Sequence, residues 1–163
     1  FQNANYHIGR TEWEYWFDSE TVNKVREDRI AMAVGAKRRL EALEENINLF
    51  DGNDEIIEGI RALPTPGHSP GHMSFEVGKS SQKVIIIGDA LNNHHVAFRK
   101  PEWISEGLDQ DPKLAADTRK KLLDKIVSEK PKVVGFHLPN GGIGHVEKLG
   151  EGYKFINLSL IHI

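Results

Sequence analysis

The apolar positions along this chain change their period several times, and each change marks a candidate element. Residues 4–8 form a short apolar stretch that predicts a strand. Thr11, with Glu14 three residues on, makes a capping-box pattern and predicts a helix start. Trp13, Trp16 and Phe17 then share one helical face. A longer helix is predicted over 28–46, with Ile30, Val34, Leu40 and Leu43 as its apolar set among Arg, Lys and Glu. Ile47–Phe50 reads as a strand closed by the turn signal Asp51-Gly52-Asn53-Asp54.

The middle of the chain is rich in strand patterns. Residues 56–63, Met73–Val77 and 83–87 are predicted strands, the last two joined by a hairpin loop over 78–82. Val84-Ile85-Ile86-Ile87 is continuously apolar, which predicts a strand buried on both faces. Residues 92–111 read as irregular. An amphipathic helix follows over 112–130, with Leu114, Leu122 and Ile126 facing inward and Pro131 as its stop. Residues 132–136 predict another buried strand, then a Gly-rich loop to Gly144, and 153–156 a last strand. There is no internal repeat. Strands alternating with helices, plus antiparallel hairpins, predict a layered α/β (α+β) fold.

Composition narrows the partners. The 163 residues fit one domain or part of one, and a net charge of −3 offers no basic face for nucleic acid. No apolar run approaches the ~20 residues that span a bilayer, so no membrane partner is expected. With no cysteine, neither disulfides nor thiolate ligands are available, and any metal must be held by His, Asp or Glu. Cysteine usage leaves the compartment open, with the cytoplasm favoured. The expectation from Phe1 is that the chain starts inside a longer gene product. Residues 158–163 resemble the translated end of a sequencing adapter, so the domain is taken as 1–157 and His162 is set aside.

Three ligand-type residues stand just past apolar strands. Thr65-Pro66-Gly67-His68-Ser69-Pro70-Gly71-His72 is a turn stiffened by prolines and allowed by glycines, with imidazoles at its tip. Asp89 follows the 83–87 strand in Gly88-Asp89-Ala90, and His137 follows the 132–136 strand. If those strands share a sheet, His68, Asp89 and His137 converge on one edge. Two imidazoles and one carboxylate suit zinc, with manganese, iron or cobalt as alternatives. His94 and His95 read as loop residues near the pocket, and His7 and His145 as surface residues. Arg119-Lys120-Lys121 reads as a solvated helix face.

Pro64 to Phe75, Gly88-Asp89-Ala90 and Gly135-Phe136-His137-Leu138-Pro139 resemble, in order and spacing, the second, third and fourth metal motifs of the metallo-β-lactamase superfamily. Asn3-Ala4-Asn5-Tyr6 and Arg10-Thr11-Glu12-Trp13 are similar to its methyl parathion hydrolase and lactonase-like branch. The resemblance runs over 1–156. It implies the carboxy-terminal part of an αβ/βα sandwich and a metal-dependent hydrolase with two divalent ions. His68 would ligate one ion, His137 the other, and Asp89 would bridge them as the catalytic carboxylate. His72 would stabilise the turn behind the ligands. A metal-bound hydroxide would attack an ester, lactone or phosphotriester, and branch members often form homodimers. The first motif, His-x-His-x-Asp-His, is absent from these residues, so the isolated chain is expected to be inactive, with the rest of the site upstream. Alternatives are a thioesterase similar to glyoxalase II, an iron-dependent redox member, or a vestigial protein. Asn140-Gly141 stands where the branch has an aromatic and a proline.

Overall fold

The computed structural model describes residues 3–158. β1 (Tyr6–Gly9) leads directly into α1 (Arg10–Phe17), α2 (Thr21–Lys24) and α3 (Ile30–Glu41). The chain then returns in β2 (Ile47–Phe50), which pairs in parallel with β1 from Tyr6↔Ile47 to Gly9↔Phe50. A parallel pair needs a crossover between its strands, and these helices supply it.

The next seven strands form one sheet in sequence order: β3 (Glu55–Ile57), β4 (Ile60–Pro64), β5 (Met73–Val77), β6 (Val84–Ile86), β7 (Lys132–Val134), β8 (Ile143–Leu149) and β9 (Gly152–Asn157). Every neighbouring pair is antiparallel except β6–β7, which is parallel. β4 and β6 both oppose β5, so β4, β6 and β7 point the same way. Their carboxyl ends therefore lie along one edge of the sheet. The crossover from β6 to β7 contains α4 (Val96–Arg99) and α5 (Pro112–Glu129).

α5 is well punctuated. The Asp111 carboxylate accepts the Leu114 N–H at 3.0 Å as N-cap, and Pro112 occupies the first turn, where its missing N–H costs nothing. Lys130 adopts a left-handed φ of 53° and Pro131 blocks continuation. Leu122, Leu123 and Ile126 pack on Ile85, Ile87, Val133, Val146 and Tyr153 to form the main core. On the opposite face Phe50 of β2 meets Phe75 of β5 edge-on at 6.2 Å, which seats the small sheet over β4 and β5.

Several expectations need correction. α1 begins at Arg10 with Gly9 as its cap and no side-chain cap bond, because the chain passes from β1 straight into the helix and Thr11 is already inside it. The 28–46 helix is interrupted: a 3-10 turn (Glu27–Arg29) precedes α3 and another (Glu44–Asn46) follows. α3 buries Ala33, while Ile30 and Val34 are exposed. The 56–63 strand is two, β3 and β4, folded back around Gly59 at φ 81°. Ile85 and Ile87 are fully buried but Ile86 is 40% exposed, since the helical layer covers only one face of β6. Leu114 is exposed rather than inward, and Arg119 is buried rather than solvated. β8 and α4 were unforeseen. β8 alternates core and solvent with only Val146 as a buried apolar side chain, so its pattern is faint. The Leu158 N–H extends the β8–β9 pairing by donating to Ile143 O at 2.9 Å, and Ser159 to Ile163, with His162, lie outside the described residues. No helix among the described residues is long and apolar enough to cross a membrane.

Candidate metal centre

His68, Asp89 and His137 follow the carboxyl ends of β4, β6 and β7, and the common direction of those strands brings them together. His68 Nε2 lies 3.4 Å from Asp89 Oδ2, and His137 Nε2 lies 3.0 Å from Asp89 Oδ1. Each imidazole thus faces a different oxygen of one carboxylate. Two imidazole nitrogens and a carboxylate are donors of the kind that divalent cations take. Among the described residues no three His, Asp or Glu side chains enclose a single point as a finished metal cage. The rim is open: Asp89 and His137 are 40% and 41% exposed at their side chains.

Backbone chemistry fixes each ligand-type residue. Gly67 has φ 126°, and a Cβ there would stand 2.3 Å from the Ala115 backbone nitrogen of α5. Only glycine lets the turn press so closely on the helix start. The Gln110 and Asp111 N–H groups donate to Gly67 O, at 3.1 and 2.9 Å, and tie the loop before α5 to the turn. Glu12 of α1 holds the other side. Its Oε2 accepts from Ser69 Oγ at 2.7 Å and from the Gly71 N–H at 2.9 Å, and its Oε1 accepts from Trp16 Nε1 at 2.6 Å. Asp89 sits in a 3-10 turn (Gly88–Leu91), and a Cβ on Gly88 would approach His72 Nε2 to 2.8 Å.

His72 sits between the His68 ring, 5.9 Å away, and the Asp89 backbone. The Asp89 N–H donates to its Nε2 at 3.0 Å, so Nε2 carries the lone pair. Its Nδ1–H is therefore the donor, to Thr65 O at 3.1 Å with Thr65 Oγ1 at 2.8 Å. Burial pushes the His72 pKa below its ordinary value, with nearby His68 acting the same way, and both favour the neutral ring this pattern needs. Thr65 Oγ1 contacts Ser74 Oγ at 3.0 Å, and Ser74 donates to Ile87 O at 3.1 Å, which closes a polar chain from β4 to β6.

His137 occupies the tight loop after β7, where Gly135 N–H donates to Gly142 O at 2.9 Å. Phe136 beside it is 90% exposed and sets its ring edge-on to the imidazole at 5.1 Å. The His94 and His95 rings lie 3.7 Å apart and tilted by 42° on the loop beyond Asp89, without joining the cluster. His7 is exposed, and half-buried His145 lines a groove with Val127 and Pro131. A cleft of about 320 Å³ opens on the far side of the His68 turn, between Tyr15, Val25, Pro70 and Leu114. Gly67 of the turn and Asp109 of the loop before α5 also line it, and Asp89 does not.

Sequence reasoning missed Glu12, Asp109 and Arg119. Asp109 Oδ1 lies 3.2 Å from His68 Nδ1, and its Oδ2 pairs with Arg119 at 3.2 Å. A signal for Arg119 was present: it stands on the α5 stripe of Ala115, Ala116, Leu122, Leu123 and Ile126, where an unpartnered cation is not tolerated.

A seven-stranded sheet that delivers two imidazoles to one carboxylate at a single edge defines a layered α/β protein with a metal-type site. The model of the metallo-beta-lactamase superfamily matches residues 3–137, and the chain belongs to that superfamily. It is 33% identical over 97 residues to an N-acyl homoserine lactonase of Bacillus thuringiensis, covering 56% of this chain and 36% of that protein. Among solved structures, a hydrolase of the beta-lactamase superfamily, AbOPH, superposes with a TM-score of 0.86 at 28% identity, over 97% of this chain and 56% of its own. AidC, a dizinc quorum-quenching lactonase, reaches 0.88 at 22% identity over 99% and 57%, a likeness of fold. The chain spans about a third of the curated relatives and just over half of these structures. The sandwich expected from the motifs is the fold observed.

Proposed function

We propose that this chain carries half of the metal centre of a hydrolase that opens lactones or related esters. The observation that carries the reading is the Asp89 carboxylate, whose two oxygens each face the Nε2 of a different histidine. His68 and His137 would each hold one divalent ion, zinc first, and Asp89 would span the pair. Such ions, when bound, supply Lewis acidity and bring the pKa of a water toward ~7. The chain's own residues do the positioning. His72 anchors the Asp89 backbone, and Glu12 and the loop before α5 clamp the turn that presents His68. The open rim between Asp89 and His137 gives a small carbonyl substrate access. Lactones are favoured over phosphotriesters because the matched curated relatives are named lactonases.

The donors in hand do not complete a dinuclear centre, and we assign the remaining ligands to a further segment carrying His-x-His-x-Asp-His. The 163-residue chain alone should then bind zinc measurably and turn over nothing. Calorimetric titration with zinc, on the chain and on His68→Ala, Asp89→Ala and His137→Ala, tests the assignment. Loss of binding in each variant supports it, and unchanged affinity in all of them overturns it. An acyl homoserine lactone assay tests the rest: rapid ring opening by the isolated chain would refute the half-site.

A further inference from the structure

We infer that Asp109 and Arg119 form a buried relay that holds the His68 imidazole with Nδ1 protonated and Nε2 free toward Asp89, which makes both positioning residues of the centre. The inference rests on the metal-site reading above, but its geometry stands without a metal. The Asp109 and Arg119 side chains are only 2% and 4% exposed. A carboxylate so buried is tolerated only when paired and fully hydrogen-bonded. Both of its oxygens are engaged: Oδ2 by Arg119 at 3.2 Å, Oδ1 by His68 Nδ1 at 3.2 Å.

Arg119 is in turn fixed by the loop that Asp109 closes. Its Nη1 donates to Pro101 O at 3.0 Å and Trp103 O at 2.9 Å. A guanidinium is cationic at any working pH, so its partner Asp109 is an ionised, acceptor-only group. His68 Nδ1 must therefore carry the proton. In the neutral ring the free lone pair is then on Nε2, the nitrogen 3.4 Å from Asp89 Oδ2. Lone pair and carboxylate oxygen facing each other at that distance ask for a cation between them. A carboxylate behind a metal-binding imidazole sets its tautomer, its ring angle and its basicity. The relay also joins three elements the centre depends on: the β4 turn through His68, the loop before α5 through Asp109, and α5 through Arg119.

The first test needs no metal. Long-range ¹H–¹⁵N correlation on the labelled chain reads the tautomer of His68 directly. The expected result, read at a pH where the ring is neutral, is a protonated Nδ1 and an unprotonated Nε2. A proton resident on Nε2 would overturn the relay. The second test uses cobalt(II) as the probe, with its absorption spectrum as readout. Asp109→Ala alone strands a buried cation, so the Asp109→Ala/Arg119→Met double variant is the informative one. It should keep the fold by circular dichroism, lose the fixed tautomer and bind cobalt about tenfold to a hundredfold more weakly with an altered spectrum. Cobalt affinity and spectrum equal to those of the unaltered chain would show that the pair only ties the loop to α5. If the double variant does not fold, the tautomer of the unaltered chain decides. If the unaltered chain takes no cobalt, the metal-site reading falls while the tautomer still judges the relay.

Discussion

Glu12 gives the sharpest prediction because one carboxylate serves three donors on two separate elements. Trp16 Nε1 comes from the same helix, and Ser69 Oγ and the Gly71 N–H come from the turn that carries His68. Trp16 and Ser69 are 9% and 6% exposed, so without the carboxylate these donors have only the water that enters the space it leaves. In Glu12→Ala, each donor left without an acceptor costs about 1–3 kcal/mol. Glu12 itself is half-buried and water can follow it in, so the lower figure applies to each donor, about 3 kcal/mol together. That is a large share of the ~5–15 kcal/mol that holds a domain folded. Urea denaturation followed by tryptophan fluorescence should show the midpoint falling by about 1–2 M at unchanged slope. Glu12→Gln keeps an acceptor oxygen but turns an NH₂ toward a donor, and should cost about 1 kcal/mol. Glu12→Ala within ~0.5 kcal/mol of the unaltered chain, the range of an ordinary surface change, would refute the idea that α1 clamps the turn.

Three other perturbations probe separate parts of the fold. Gly67→Ala places a methyl against the Ala115 backbone at a positive φ, and should destabilise by at least ~3 kcal/mol in the same urea assay; a loss below ~1 kcal/mol would mean the turn sits off α5. Tyr153→Ala removes a ring that is 1% exposed in the main core and should cost about 3–5 kcal/mol. Tyr153→Phe, which loses only the hydroxyl donated to Asp124, should cost about 1 kcal/mol, and equal losses in the two variants would contradict the packing. Lys125, at 2.6 Å, and Lys83, at 2.7 Å, hold the Glu129 carboxyl below its ordinary pKa of 4.5. A lowered native value means that the unfolded chain takes up the proton first. The contribution is complete above the ordinary value and is lost as pH falls through the native one. Melting curves between about pH 6 and about pH 3 should therefore be flatter for Glu129→Gln, and 1 M salt should shrink the difference, roughly a 3 Å Debye length. Parallel curves would show that this cluster does not contribute.

The strand ends and the site differ in how much of each is written locally. Met73–Val77 and Ile47–Phe50 were legible to the residue because a turn signal bounds each run. β3 and β4 merged in the sequence reading because Gly59 alone, with no proline or Asn-Gly beside it, marks their reversal. Ile86 was misplaced because a continuous apolar run says that a strand is apolar on both sides, not that a layer covers both. β8 escaped because its solvent face carries Glu147 and its core face a glycine, leaving no run to detect.

The site divides along the same line. His68, Asp89 and His137 could be found because each lies within five residues of its own strand, and strand direction then does the assembling. Their supports could not. Glu12 is 57 residues from Ser69, and Asp109 is 41 from His68. Nothing about a glutamate in a first helical turn, or an aspartate in an irregular loop, says which distant turn it will meet. Only Arg119 left a trace, as a charge on an apolar stripe, and that trace has a direction. A cation placed in a core implies an anion buried with it, and an anion with two oxygens and one cationic partner has a second position to fill. Arg119 implies Asp109, and the second oxygen of Asp109 implies a donor such as His68. Read that way, the buried arginine of α5 points to the sheet edge that carries His68, Asp89 and His137 as directly as the histidines do.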